Sequence, residues 1–392
     1  SLKLRGSAFA QTLNKLGNEV PTVKDAEYFR DAFNSVQELI EKGLVLAGHD
    51  ISAGGMITTL LEMCFANVEG GLEVNLDTIA EEDIVLTLTH SSYIKRLPVD
   101  TYRNQKRGGR GVTGMGTKEE DYVENMIITS THNTILFFTN KGLVYQLKGY
   151  EIPESGRTAK GTAIVNLLPL AKEETITAII PIKEFSKDRY LFMATRHGIV
   201  KKTGLSEFDT NRKKTGLIAL SLKENDELIG VKLTDGNRQI IIGTRDGMSI
   251  CFNEQDVRPM GRTARGVIGI KLKGEDTVIG MDNIRDDCEV LTVTEHGFGK
   301  RTATSEYRTQ TRGGIGLINI KVTEKTGFVI GIKVVDSQQE FMLISTEGIV
   351  IRSNIEEVSV IGRNTQGVKM MNMDNNDKVA ALAAFEIKED DK

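Results

Sequence analysis

Tryptophan is absent from the 392 residues, proline occurs 6 times and cysteine 3 times. The cysteines, Cys64, Cys251 and Cys288, lie far apart and form no C-x-x-C pair. Neither a disulfide framework nor a zinc site follows, and a reducing cytoplasm is expected. No run of 18 apolar residues exists and no charged-then-apolar leader opens the chain, so a membrane partner is not expected. Nor is there an excess of charge of one sign, with 50 Lys and Arg against 54 Asp and Glu, a net of −4. A nucleic-acid partner has to be argued from local clustering. Glycine is what the chain has in quantity, at 39 residues. Many glycines with few prolines mean many tight turns. At 39% hydrophobic residues the chain can build real cores, and its length suits two or more domains.

The pattern changes near residue 80. Over residues 25–42, Phe29, Phe33, Val36, Leu39 and Ile40 recur at spacings of three and four, one apolar helix face closed by Gly43. A short strand over 44–47 leads into His49-Asp50-Ile51-Ser52-Ala53-Gly54-Gly55, and a second helix is expected over about 56–66. A glycine-rich turn before a helix can accept a phosphate, which makes His49, Asp50, Ser52, Gly54 and Gly55 weak candidates for a nucleotide. The plainer reading is a tight turn with His49 and Asp50 in local hydrogen bonds. Residues 1–78 carry 6 basic against 11 acidic side chains.

Beyond residue 79, short apolar strands alternate with Gly and Asn/Asp turns, as in ILFFTNKGLVYQL, IIIGTRDGMSICF and VLTVTEHGFGKRT. Each reads as a β-hairpin. The turn glycines Gly142, Gly198, Gly247, Gly297 and Gly348 recur about every fifty residues, with Ser92 in the slot before them. A second landmark keeps step: Arg107/Gly111, Arg157/Gly161, Arg212/Gly216, Arg262/Gly266, Arg312/Gly316 and Arg363/Gly367. Each pair is expected to open an alternating strand, such as 267–272 or 315–322. Six units of about fifty residues, with about four short strands each, predict a mainly β, radial architecture. Closure around an axis buries both faces of every sheet and protects its edges. A β-sandwich or two barrels would not explain six arginines in register. The missing tryptophan argues against WD repeats, and the missing paired-glycine pattern against kelch repeats.

The first unit holds the densest basic run. Lys95, Arg96, Arg103, Lys106, Arg107 and Arg110 stand against Asp100 alone. At its centre, Gln105-Lys106-Arg107-Gly108-Gly109-Arg110-Gly111 combines cations with glycines that let a backbone approach closely. Arginine meets phosphate through two parallel hydrogen bonds. This is loop chemistry for a polyanion, without the base-reading pattern of a recognition helix. Arg157, Lys160, Lys201, Lys202, Arg212, Lys213, Arg262, Arg265, Lys300, Arg301, Arg308, Arg312 and Arg363 repeat the theme more weakly. In radial units they would form a ring of cations around which a duplex bends, with steep salt dependence. For the recurring arginines, hydrogen bonds to carbonyls or acid pairs within each blade are an equal alternative. His90, His132, His197 and His296 lie in or beside turns, and no metal, catalytic or cofactor constellation follows.

Residues 79–387 resemble the C-terminal domain of the DNA gyrase A family, above all in YIKRLPVDTYRNQKRGGRGVTGMGTKEEDYV, whose QKRGGRG matches that family's seven-residue box. The resemblance implies a six-bladed β-pinwheel with strands exchanged between blades, followed by a short acidic tail over 388–392. It implies duplex DNA wrapped with positive handedness on a basic rim, the gyrase A N-terminal region and gyrase B as partners, and a bacterial cytoplasmic, nucleoid-associated setting. The cleavage region with its catalytic tyrosine is not read in this chain, so no strand passage is expected of it alone. Residues 1–78 are similar to part of phosphoribosylformylglycinamidine synthase, through HDISAGG and LLEMCFA, which implies a small α/β segment from a nucleotide-binding domain. Two other functions stay open: a protein-interaction propeller for acidic partners, and a nucleotide-binding remnant in the leader.

Overall fold

Residues 135–138, ILFF, carry a large apolar side chain at every position, so both faces of that strand need cover. The computed structural model supplies it. Thr134–Thr139 is buried along its whole length. Ile135 and Phe137 enter one apolar cluster with Ile84, Leu86 and Ile94, while Leu136 and Phe138 enter another with Leu191, Met193 and Leu205. The same alternation recurs down the chain, so the cores lie between neighbouring sheets.

Contacts divide the chain into Ser1–Thr78 and Ile79–Lys392. The structure describes residues 81–99, 123–156, 159–210, 216–373 and 377–386. The helices expected over 25–42 and 56–66, the leader's candidate residues His49, Asp50, Ser52, Gly54 and Gly55, and the acidic tail lie outside the described residues.

The described residues form six antiparallel sheets, five of four strands and one of three. In the fourth, Gln239–Thr244 pairs with Met248–Asn253 on one side and Val278–Ile284 on the other. Its outermost strand, Leu317–Ile318, comes from the next repeat and pairs with Met248 and Ser249. Thr162–Ala163, Leu217–Ile218, Val267–Ile268 and Val368–Lys369 play the same part for the first, second, third and fifth sheets. The sixth sheet holds Val350–Asn354, Gln339–Ser345 and Val379–Glu386, with no such donated strand among the described residues. Val278–Ile284 packs against its counterparts Leu228–Thr234 and Val329–Val335, and Val379–Glu386 touches Val123–Ser130 of the first sheet. The fold is a six-bladed β-propeller with strands exchanged between blades, as the fifty-residue register and the resemblance together imply. Its described helical elements are 3-10 turns, such as Glu254–Asp256.

The landmark glycines are fold requirements. Gly142 has φ 72°, and a Cβ there would stand 2.6 Å from the carbonyl oxygen of Leu220 in the next repeat's donated segment. Ser92, in the equivalent turn, also takes a left-handed conformation, φ 61°. One expectation is corrected. The alternating strands expected after the Arg–Gly pairs are, in the second to sixth repeats, only two residues long, and Ile270 and Ile320 then turn into the cores between sheets instead of extending a ladder.

Candidate nucleic-acid interface

In the first five blades the strand that follows the hairpin turn runs alongside the segment that the next repeat donates. Its third and fourth residues are Lys95 and Arg96 in Tyr93–Pro98, Lys201 and Lys202 in Ile199–Gly204, and Lys300 and Arg301 in Phe298–Ala303. The structure turns them inward. Lys95, Lys201 and Lys300 have no exposed surface (0%). Lys95 Nζ donates to the carbonyl oxygens of Gly156 at 3.2 Å and Ala159 at 3.0 Å. Lys201 Nζ donates to the carbonyls of Ala219 at 2.6 Å and of Arg262. Lys300 Nζ donates to the carbonyls of Gly362 at 2.6 Å and of Arg363, and to Thr365 Oγ1 at 3.2 Å. Burial pushes the amines of Lys201 and Lys300 down to about 8, and lowers that of Lys95.

The fourth-position side chains fasten the next repeat's 3-10 turn. Arg96 Nε donates to Ile152 O at 2.7 Å, Gln146 Nε2 to Phe208 O at 2.7 Å, Lys202 Nζ to Glu254 O at 3.0 Å and Arg301 Nε to Val358 O at 2.7 Å. Arg96 also meets Glu154, and Arg301 meets Glu289, each at 3.4 Å. Lys95, Arg96, Lys201, Lys202, Lys300 and Arg301 therefore do not stand on a basic rim as the sequence suggested. They are clasps between blades, because the next repeat brings backbone carbonyls over each of these positions.

The described arginines of the Arg–Gly pairs, Arg262, Arg312 and Arg363, sit one loop further out. Arg312 is half-buried, with Nε donating to Asp256 O at 2.9 Å and a terminal nitrogen to Ile268 O at 3.1 Å. Arg363 reaches Ile318 O at 3.1 Å. Each thus binds the strand donated by the repeat before it, the carbonyl-bonding alternative, and each residue stays half-buried. Arg262 is half-buried and Arg265 exposed on the equivalent loop. Lys160 lies over the Tyr93 ring at 3.7 Å. Arg103, Gln105, Lys106, Arg107, Gly108, Gly109, Arg110 and Gly111 lie outside the described residues, as do Arg157, Arg212 and Lys213.

Sequence reading picks out Arg308 on these loops but misses three further cations, Arg258, Lys271 and Lys321. Arg258 and Arg308 precede the arginine slots, Lys271 and Lys321 follow the donated strands, and all four are exposed. The signal was available, since each pair is spaced by one repeat. What the loops offer chemically is a row of outward guanidinium and ammonium groups beside glycines, which suits an anionic backbone. No group of three metal-ligating side chains stands together among the described residues.

The DNA gyrase C-terminal domain family, a β-propeller, matches the chain in six stretches: residues 83–130, 133–183, 189–235, 238–285, 289–336 and 339–386. The DNA gyrase A protein of Clostridium acetobutylicum is 53% identical over 307 residues, 78% of this chain and 37% of that protein. The chain thus spans little more than a third of the length of such relatives. A solved DNA gyrase A C-terminal domain matches with a TM-score of 0.62 at 28% identity, over 78% of this chain and 100% of that one. The C-terminal domain of a DNA topoisomerase IV matches with 0.69 at 25% identity, over 79% and 95%. The similarity of residues 1–78 to phosphoribosylformylglycinamidine synthase gains no support from these relatives.

Proposed function

This chain belongs to the DNA gyrase C-terminal domain family, and on that basis we propose that it binds duplex DNA without sequence preference and wraps it with positive handedness around its outer loops. In this reading it is a non-catalytic part of a type II topoisomerase that supports negative supercoiling. Its partners are double-stranded DNA, the gyrase A N-terminal region and gyrase B, in the bacterial cytoplasm at the nucleoid. No cofactor takes part. No helix among the described residues is long and apolar enough to cross a membrane.

One observation carries the reading. Strand exchange sets the Arg–Gly loops of the fifth and sixth repeats beside the strand donated by the repeat before, so that Arg312 and Arg363 recur at one place in consecutive blades. Arg265 and Arg308 there are exposed. With the clasps removed, the proposed contact set is Lys160, Arg262, Arg265, Arg312 and Arg363, joined by Arg258 and Arg308. Arg103, Gln105–Gly111, Arg157, Arg212 and Lys213 complete it on sequence grounds. Bending a duplex costs several kcal/mol over a few helical turns, so many phosphate contacts must act together.

The test is topological. Nicked circular DNA is ligated in the presence of increasing protein, and its linking number is read after deproteinisation. A positive shift that falls with salt, and is lost when Arg107 and Arg110 are reversed in charge, is expected. Binding that ignores duplex length, with no shift, would instead mark a rim for acidic protein partners.

A further inference from the structure

Residues 308–314 line an open groove of about 610 Å³ on the fifth repeat's loop. The sequence there, Arg308-Thr309-Gln310-Thr311-Arg312-Gly313-Gly314-Ile315-Gly316, repeats the box segment Arg103-Asn104-Gln105-Lys106-Arg107-Gly108-Gly109-Arg110-Gly111. Both arginines, the glutamine and all three glycines coincide. The equivalent loop of the fourth repeat, residues 258–266, keeps neither the glutamine nor the paired glycines.

Two of these glycines have fold reasons. Gly313 has φ 80°, and Gly316 has φ 77° with the Ser249 carbonyl oxygen where a Cβ would stand. Gly314 has none. Its φ is not left-handed, and a Cβ there would meet nothing nearer than Ile250 Cδ1 at 3.6 Å, ordinary contact. A residue that the fold allows to carry a side chain, yet does not, leaves its backbone open to a close approach from outside. The surroundings suit an anion. The N–H groups of Thr311, Arg312, Gly314 and Ile315 have no acceptor among the described residues. Gln310 Nε2 is buried without a hydrogen-bond partner. Arg308 is exposed beside it, and Arg312 is held in place by the carbonyls of Asp256 and Ile268.

We propose that the loop 308–316 is a second box-like site, a groove that seats a phosphodiester of the duplex through backbone N–H groups, Gln310 and Arg308. The proposal rests on the DNA-wrapping reading and deepens it. The lost cations at Thr311 and Ile315 make this site less dependent on charge than the first-repeat segment and more dependent on close backbone approach.

The decisive variant is Gly314→Ala, which removes no charge and strikes no atom. With the full chain and a fluorescent duplex of about 150 base pairs, anisotropy titration is expected to show a loss of affinity of roughly three- to tenfold. Arg308→Glu, on an exposed side chain, is expected to flatten the log-affinity against log-salt slope by about one. Thermal melts of both variants should match the parent, and Arg308→Glu keeps the test open if Gly314→Ala melts early. Parent-like affinity in Gly314→Ala and a parent-like slope in Arg308→Glu would overturn the second site while leaving wrapping intact. A parent chain that fails to bind the duplex at all would overturn the wrapping reading, and this site with it.

Discussion

At the residue scale, the buried lysines decide how sequence charge is to be interpreted. Lys201 sits with no exposed surface and donates to two carbonyls, that of Ala219 in its own repeat and that of Arg262 in the loop of the next repeat. Replacing it with Met leaves those carbonyls without a donor, at a cost of about 1–3 kcal/mol each. The pH dependence has a definite sign. Burial, then the nearby Arg262 charge, lower the Lys201 amine from 10.5 to about 8. Between those values the unfolded chain holds a proton that the folded chain has lost, so parent stability gains with rising pH. The stabilising contribution is complete above 10.5 and is lost as pH falls through about 8. Urea melts of parent and Lys201→Met are therefore expected to diverge from pH 8 to 10.5, by up to roughly 3 kcal/mol. A constant difference would show that this amine does not titrate in that window. The sequence groups Lys201 and Lys300 with the slot arginines as cations of one theme. It could not separate a lysine in a strand from an arginine in a loop, because that depends on carbonyls about sixty residues further along the chain.

At the element scale, each of the first five blades is completed by its successor. Val368–Lys369 closes the edge of Phe298–Ala303, and Lys300 grips the loop that delivers it. Gly367 is the pivot, with φ 78° and the Gly299 carbonyl oxygen 2.6 Å from where a Cβ would stand. Gly367→Ala is expected to destabilise by more than about 1 kcal/mol. Its hydrogen-exchange effect should fall on Phe298–Ala303, in the neighbouring repeat, and far less on Gln339–Ser345 of its own repeat. Protection lost mainly within residues 339–386 would mean that blades follow repeat boundaries. The hairpins and their period were legible from local turn chemistry, because Gly142 and its counterparts need a left-handed φ wherever they stand. The exchange was not legible from period. A two-residue strand has too little alternation to declare its partner, and only resemblance to a family with that architecture supplied it.

At the scale of the whole molecule, a net charge of −4 says nothing of the loops, where binding would be decided. Arg258, Arg262, Arg265, Arg308, Arg312 and Arg363 are exposed or half-buried on three consecutive loops. If each neutralises one phosphate, the slope of log affinity against log salt is about −5 for a duplex long enough to reach all of them. A duplex that spans only the loop of Arg308 and Arg312 should show a slope near −2, by the same rule of about 0.9 per phosphate. The two lengths would then differ little at high salt and strongly at low salt. Titrations of both against salt, on the same protein, measure this directly. Equal slopes would mean that the loops act one at a time, and a surface that takes one duplex end at a time does not bend it. Slopes that steepen with length, while shuffled sequences of one length bind alike, are what contact with the backbone at several blades requires, since phosphates carry position and no sequence.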